Sequence, residues 1–236
     1  MEKGALLYEG KGKRVYRTED PQSLILEFKD TATAFDGKKR EELDAKGRIN
    51  NRINAFLMEK LAAAGIPVHH RRMLSETESA VKALDMVPVE AVVRNVVAGS
   101  LARRLGMEEG TALERPVFEF FYKSDELGDP MVNQFHILAF GWASREEVDR
   151  MIELSFRVND VLVPLFKAGG MQLVDYKLEF GRFEGGLVVG DEFTPDGCRL
   201  WDLSSGEKLD KDRFRRDLGD VLEGYREIGR RLGVEL

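Results

Sequence analysis

The sequence predicts an α/β protein of the α+β type, with an N-terminal antiparallel β-sheet, a helix packed on it, and a larger C-terminal α/β part. Three observations carry this expectation. Short runs rich in β-branched, aromatic and leucine residues, bounded by Gly, Asp and Pro, crowd residues 5–39. A helical stripe of Ile49, Ile53, Phe56, Leu57 and Leu61 follows them. The second half then combines a long capped helix with a strand whose charges alternate with apolar residues. A chain of 236 residues, 43% hydrophobic and 33% charged, suits one large domain or two small ones sharing a cleft, and composition does not choose between them.

Taken in order, "ALLYEG", "KRVYRT" and "SLILEF" read as antiparallel strands, and "DAKGRINNRINAFLMEKLAAAG" as a helix stopped by Gly65 and Pro67. The valine-dense "KALDMVPVEAVVRNVVAGS" reads as a strand. Pro88 suits a connector or strand start, so a domain junction is expected near Asp85 to Pro88, dividing the chain into 1–85 and 86–236. Ser144 stands three residues before Glu147, a capping-box spacing, and the apolar stripe after it predicts a long helix kinked or ended near Val163, before Pro164. A hairpin from Met171 to about Phe193 turns at "RFEGG", and "DKDRFRRDLGDVLEGYREIGRRLG" closes the chain as an amphipathic helix.

Several function classes are disfavoured at once. Cys198 is the only cysteine, which excludes an internal disulfide framework and a cysteine-rich metal site. Three scattered histidines, His69, His70 and His136, do not suit a zinc centre, so any metal must be held by carboxylates and is expected to be magnesium or manganese. The net charge of -6 argues against a general nucleic-acid binder. No apolar run approaches the roughly 20 residues of a membrane span, and "MEKGALLYEGKGKRVY" lacks a signal-peptide pattern. A cytoplasmic address without membrane or nucleic-acid partners is the expectation.

Four stretches carry polar groups in patterns that suit chemistry. In "LVDYKLEFG", Asp175, Lys177 and Glu179 share one strand face while Val174, Tyr176, Leu178 and Phe180 fill the other; the charged face is either solvated surface or a site. Antiparallel pairing across the hairpin is expected to bring Asp191 close to Lys177 and diagonal to Glu179, where two carboxylates would anchor magnesium and a lysine would neutralise phosphate. In "YEGKGKRVY", Gly10 and Gly12 alternate with Lys11 and Lys13, suiting close approach to phosphates or an ordinary turn; the spacing is neither that of a Walker loop nor that of a kinase glycine loop. In "VEAVVRNVVAGSLARRLG", Ser100 is expected to start a short helix with Arg94 nearby, either a phosphate clamp or a capped surface helix with a buried Glu90–Arg94 pair. "DPMVN", with Asp129, and "TAFDGKK", with Asp36, read as polar loops that either line a cleft or are ordinary turns.

Together these motifs resemble the phosphoribosylaminoimidazole-succinocarboxamide synthase, or SAICAR synthetase, family. "MVPVEAVVRNVVAGS" and "LVDYKLEFG" match its two long motifs, and "LYEGKGKRVY", "DPMVN" and "GDEFTPDGCRLWD" match in the same order along nearly the whole chain. The resemblance implies ATP-dependent condensation of L-aspartate with the carboxylate of carboxyaminoimidazole ribonucleotide (CAIR), giving an amide, ADP and phosphate. It also implies ATP in a cleft between the two parts of the fold, magnesium as cofactor, and a homodimer. By resemblance, Gly10, Lys11, Gly12 and Lys13 meet the ATP phosphates and the hinge from Leu84 to Met86 meets adenine. Glu179 and Asp191 hold magnesium, and Lys177 stands by the transferred phosphoryl. Arg94, Ser100 and Arg199 meet the ribonucleotide phosphate, and Asp129 and Arg215 complete the substrate side. Asp36 falls in a loop where Phe35 replaces the glycine usual in the family, and Lys38, Lys39 and Arg215 are cations suited to the carboxylates of aspartate.

Overall fold

The computed structural model describes residues 1–34 and 39–236. Its N-terminal sheet is antiparallel throughout, in the order β1-β2-β3-β7-β6, built from β1 (Leu6–Glu9), β2 (Lys13–Arg17), β3 (Ser23–Phe28), β6 (His70–Met73) and β7 (Glu78–Lys82). A hairpin of β4 (Thr31–Ala34) and β5 (Lys39–Glu42) leads from β3 into helix α1 (Lys46–Ala63). The stripe read from the sequence is why α1 packs: Ile49, Ile53, Leu57 and Leu61 are all at most 1% exposed. Gly47 lets the helix start against β3, since a Cβ there would stand 2.4 Å from the Phe28 carbonyl oxygen.

Directly after β7 the chain enters a second antiparallel sheet in the order β10-β9-β8-β11-β12, formed by β8 (Asp85–Val96), β9 (Ala112–Tyr122), β10 (Met131–Val132), β11 (Met171–Phe183) and β12 (Gly186–Gly190). Strand β13 (Cys198–Asp202) pairs the first half of β11, and β12 pairs the second half. The change of neighbour falls at Lys177, whose N–H donates to Gly197 O at 3.0 Å. The segment from Asp191 to Gly197 is thereby brought beside the middle of β11.

Two short helices, α2 (Gly99–Leu105) and α3 (Gln134–Ala139), flank this sheet, and α4 (Arg145–Ala168) covers it. Val148, Met151, Leu154, Val158, Leu162 and Phe166 of α4 are fully buried against the apolar side of β11, where Tyr176 Oη donates to Ser155 O at 2.8 Å. The capping box holds: Ser144 Oγ accepts from Glu147 N, and Glu147 reaches back to Ser144 N. Side chains from α1, β8, α4 and β11 form one continuous core, so α1 serves both sheets.

Four local expectations are corrected. Helix α4 does not end at Val163 but runs through Pro164 to Ala168; burial of Leu162 and Phe166 on either side outweighs the lost backbone bond. Pro88 lies within β8 rather than before it, where the β8–β11 register shifts, a bulge that tolerates a missing N–H. The closing helix is two helices, α5 (Asp212–Arg215) and α6 (Val221–Leu232), because Asp217, Gly219 and Asp220 adopt left-handed backbone between them. Helix α2 is entered through Ala98 without a side-chain cap, so Ser100 sits inside it rather than at its start.

Candidate active site

The charged side of β11 faces neither bulk water nor a random surface. Asp175 and Glu179 are each 3% exposed, and every charge on that side has partners from other elements. Arg94 of β8 pairs across the ladder with Asp175, donating to it at 2.9 Å, to Glu119 at 2.7 Å and to Ser100 Oγ at 3.0 Å. Arg199 of β13 holds Asp175 from the other flank at 2.8 and 3.0 Å and also donates to Asp212 at 2.9 Å. Arg215 of α5 donates to Asp212 at 2.7 Å. Gly99 makes this crossing possible, since its φ is +53° and a Cβ would meet the Arg199 guanidinium at 2.4 Å.

At the other end of the triplet, Lys177 Nζ donates to Glu90 at 2.7 Å and to Glu179 at 2.9 Å, and Lys123 at the end of β9 also pairs with Glu179. Burial alone would lower the Lys177 ammonium, but Glu179, Asp191 and Glu90 hold it well above its ordinary range. Burial raises the Glu90 carboxyl, offset in part by Lys177. Lys13 is in the same position as Lys177: burial opposes its charge, and Asp191, Glu192 and Glu179 raise it above the usual value. Lys13 pairs with Asp191 and lies 3.3 Å from Glu192. Asp191 is turned into the site by left-handed backbone at φ +57°, one residue past Gly190, the partner of Glu179. The expected convergence with Lys177 is present, although Asp191 lies just beyond the strand rather than in it.

Three adjoining cavities follow from this arrangement. The first, about 160 Å³ and mostly apolar, lies between the sheets and is lined by Val15, Leu24, Leu26, Val81, Leu84 and Met86. Its far wall is tight because Gly181 and Gly190 have no side chains; a Cβ on either would strike Leu84, at 2.6 and 2.8 Å. The second, about 420 Å³, is bounded by Gly10, Lys11, Gly12, Lys13, Lys123 and Asp191. Lys13, Glu179 and Asp191 border both. The third, about 280 Å³, lies under Arg94, Ser100, Arg199 and Arg215, and meets the second at Glu90, Asp129 and Lys177. An apolar slot, a lysine-lined middle and an arginine-lined end suit a nucleotide base, its phosphates and a second phosphorylated substrate. Carboxylate oxygens suit a hard cation, and two of them meet what magnesium takes from protein when phosphate and water fill its other positions. Among the described residues, no group of three or more acidic, His or Cys side chains forms a fuller cage.

Most of the residues expected from sequence therefore meet in one cleft: Gly10, Lys11, Gly12, Lys13, Leu84, Met86, Arg94, Ser100, Asp129, Lys177, Glu179, Asp191, Arg199 and Arg215. Asp36 and Lys38 lie outside the described residues. Lys39 points elsewhere, donating to Phe214 O and Asp217 at 2.5 Å each. The suggested Glu90–Arg94 pair does not form, since adjacent strands give each its own partner. His136 caps α3. Lys123, Glu192, Asp196, Tyr8 and His69 also line the cavities without having been singled out. Glu192 and Asp196 stand in the "GDEFTPDG" tract and had a readable signal, whereas Lys123 and His69 reach the cleft only through long-range pairing.

A family model described as SAICAR synthetase matches residues 6–232. The phosphoribosylaminoimidazole-succinocarboxamide synthase of Idiomarina loihiensis is 62% identical over 236 residues, covering 100% of both chains. The solved structure of the synthase from Ehrlichia chaffeensis superposes with a TM-score of 0.96 at 43% identity, covering 98% of this chain and 100% of its own. A SAICAR synthetase solved in complex with ADP gives a TM-score of 0.93 at 44% identity, covering 95% and 96% of the two chains. With motifs, cleft and full-length similarity in agreement, the chain belongs to the SAICAR synthetase family.

Proposed function

We propose that the cleft condenses L-aspartate with the carboxylate of CAIR at the expense of ATP, through an acyl phosphate, giving SAICAR, ADP and phosphate. The observation that carries this reading is the meeting of a lysine-lined and an arginine-lined cavity at Lys177, Glu90 and Asp129. Two phosphorylated molecules bound on either side of that point would present their reacting ends to each other.

A carboxylate resists an amine because its carbon is a weak electrophile and oxide is a poor leaving group. Attack of a CAIR carboxylate oxygen on the γ-phosphorus of ATP releases ADP and leaves an acyl phosphate. The amine of aspartate then attacks the acyl carbon and expels phosphate. Lys177 neutralises charge at the transferred phosphoryl, and Lys11, Lys13 and the backbone at Gly10 and Gly12 hold the ATP phosphates. Glu179 and Asp191 are the residues to hold magnesium, which would supply charge neutralisation between phosphate oxygens. Arg94, Ser100, Arg199 and Arg215 receive the ribonucleotide phosphate, the Asp175 carboxylate keeping the arginines in place. Residues 1–85 and 86–236 act as the two walls of the cleft, and Asp36 is assigned with Lys177 and Lys13 to the catalytic residues.

The test is ADP release with magnesium-ATP and CAIR, with and without L-aspartate, and the product checked by mass. Aspartate-dependent release of ADP with a succinyl-amide product is the expected result. ADP formed equally without aspartate would instead favour phosphate transfer to another acceptor. A homodimer is part of the proposal, supported by the exposed apolar side chains of Leu105, Met107, Met131, Phe135 and Phe140; sedimentation at micromolar concentration should give twice the 26.7 kDa chain mass. No helix among the described residues is long and apolar enough to cross a membrane, and the proposed setting is the cytoplasm.

A further inference from the structure

The arginine-lined cavity takes Arg94 from β8, Arg199 from β13 and Arg215 from α5. The last two come from different elements and meet on one carboxylate. Asp212 Oδ2 accepts from Arg199 Nε at 2.9 Å, and Asp212 Oδ1 accepts from Arg215 Nη1 at 2.7 Å. The Asp212 side chain is 2% exposed and is not part of the cavity lining. Burial would raise its carboxyl, but Arg199 and Arg215 hold it below the ordinary value. Its backbone is fixed in turn: Asp210 accepts from Asp212 N at 2.7 Å through one oxygen and from Leu200 N at 2.8 Å through the other. Asp210 is wholly buried and so ties the start of α5 to β13 beside Arg199. Arg216 comes within 3.6 Å of Asp212 but donates instead to Glu109 at 2.7 Å.

A buried ion pair is a poor source of net stability, because burial strips both partners of water. What it supplies here is orientation. With Nε given to Asp212 and Nη1 to Asp175, the plane of the Arg199 guanidinium is set, and among the described residues its Nη2 has no hydrogen-bond partner. Arg215 likewise uses only Nη1 on Asp212, and its Nε and Nη2 have no partner among those residues. Two neighbouring guanidinium groups repel each other, and the one carboxylate between them offsets that repulsion before an anion arrives. From this geometry, and resting on the ribonucleotide reading of the cavity given above, we propose that Asp212 is a positioning residue. It aims Arg199 and Arg215 at the phosphate of the ribonucleotide and so sets the preference for phosphorylated over dephosphorylated substrate.

The test is calorimetric binding of CAIR and of its nucleoside lacking the phosphate, together with steady-state ADP release. The full-length proteins compared are the wild type, Asp212→Asn and Asp212→Ala. The wild type should bind the nucleotide far more tightly than the nucleoside. Asp212→Asn, which keeps the shape and one acceptor oxygen, should cut that preference by roughly tenfold, and Asp212→Ala by roughly a hundredfold, the worth of one and of two charge-assisted hydrogen bonds. Nucleoside affinity, KM for ATP and kcat at saturating CAIR should each stay within about threefold of the wild type, a split that a general loosening of the fold does not produce. Equal weakening of nucleotide and nucleoside would overturn the inference, as would a fall in kcat with KM for CAIR unchanged. Thermal unfolding accompanies each variant, and if Asp212→Ala does not fold, the near-isosteric Asp212→Asn decides. If the wild type bound nucleotide and nucleoside alike, the ribonucleotide reading of the cavity would fall and this inference with it. If the wild type preferred the nucleotide and Asp212→Asn kept that preference in full, only this inference would.

Discussion

The two ends of the charged triplet on β11 are built from different cations, and the difference separates a fixed receptor from an exchangeable one. Asp175 is gripped by Arg94 and Arg199, whose planar guanidinium groups are themselves tied to Glu119, Ser100 and Asp212. Glu179 is held by Lys177 and Lys123, single-point cations on flexible stems, each about a third or more exposed. Arginine forks preorganise the far cavity for a planar or tetrahedral anion before any arrives. Lysines can swing from a carboxylate to a phosphate, which frees the carboxylate oxygens for a cation. One strand thus carries a rigid anion seat and, four residues along, an exchangeable one.

The largest expected effect is at the point where the halves meet. Lys177→Ala should lower turnover by about 10³-fold, the scale of losing one preorganised group aimed at transition-state charge, while CAIR and ATP binding by calorimetry remain measurable. Unchanged turnover would mean that the lysine end only balances charge. Next, Asp175→Asn should destabilise the fold by about 3 kcal/mol, because two buried guanidinium groups lose the shared anion that holds them together. Glu179→Gln should shift the denaturation midpoint much less, since its lysines can turn to water, but should weaken magnesium-dependent nucleotide binding. Equal loss of stability in both variants would break the distinction between fixed and exchangeable ends.

The smallest effect concerns pH. Burial pushes His69 down to about 3 from an ordinary 6.5, with Asp191 opposing the shift and Lys13 adding to it. The unfolded chain therefore binds a proton below pH 6.5 that the folded chain refuses. The stability contributed by the neutral ring is present above pH 6.5 and is lost as pH falls from there toward 3, at up to about 1.4 kcal/mol per pH unit. Urea titrations between pH 7 and 4.5 should show a shallower acid slope for His69→Gln than for the wild type. Parallel slopes would indicate that the ring is hydrated and protonated like a surface histidine.

Local pattern was enough for much of the architecture. The 3.6-residue stripe of α1, the Ser144–Glu147 box and the Glu184–Gly185 turn, with φ of +49° and +80°, all depend on residues within a few positions of one another. The break between α5 and α6 was missed because Asp217 and Asp220 look helical in an amphipathic run, and only the docking of Phe214 and Tyr225 on either side imposes it.

The sequence by itself determined that β11 has one apolar and one charged face, that Gly10 to Lys13 alternate glycines with lysines, that Asp191 follows the returning strand of the hairpin, and that the motifs stand in the order of one family. It did so because side-chain alternation and turn chemistry are local properties of the chain. Only the tertiary structure decided which charges meet. Arg94 pairs with Asp175 rather than Glu90, Lys123 reaches Glu179 across 56 residues, and His69 comes to the wall of the apolar cavity. Each of these is a cross-strand or between-sheet neighbour set by register and by burial of the shared core, and no spacing along the chain encodes it.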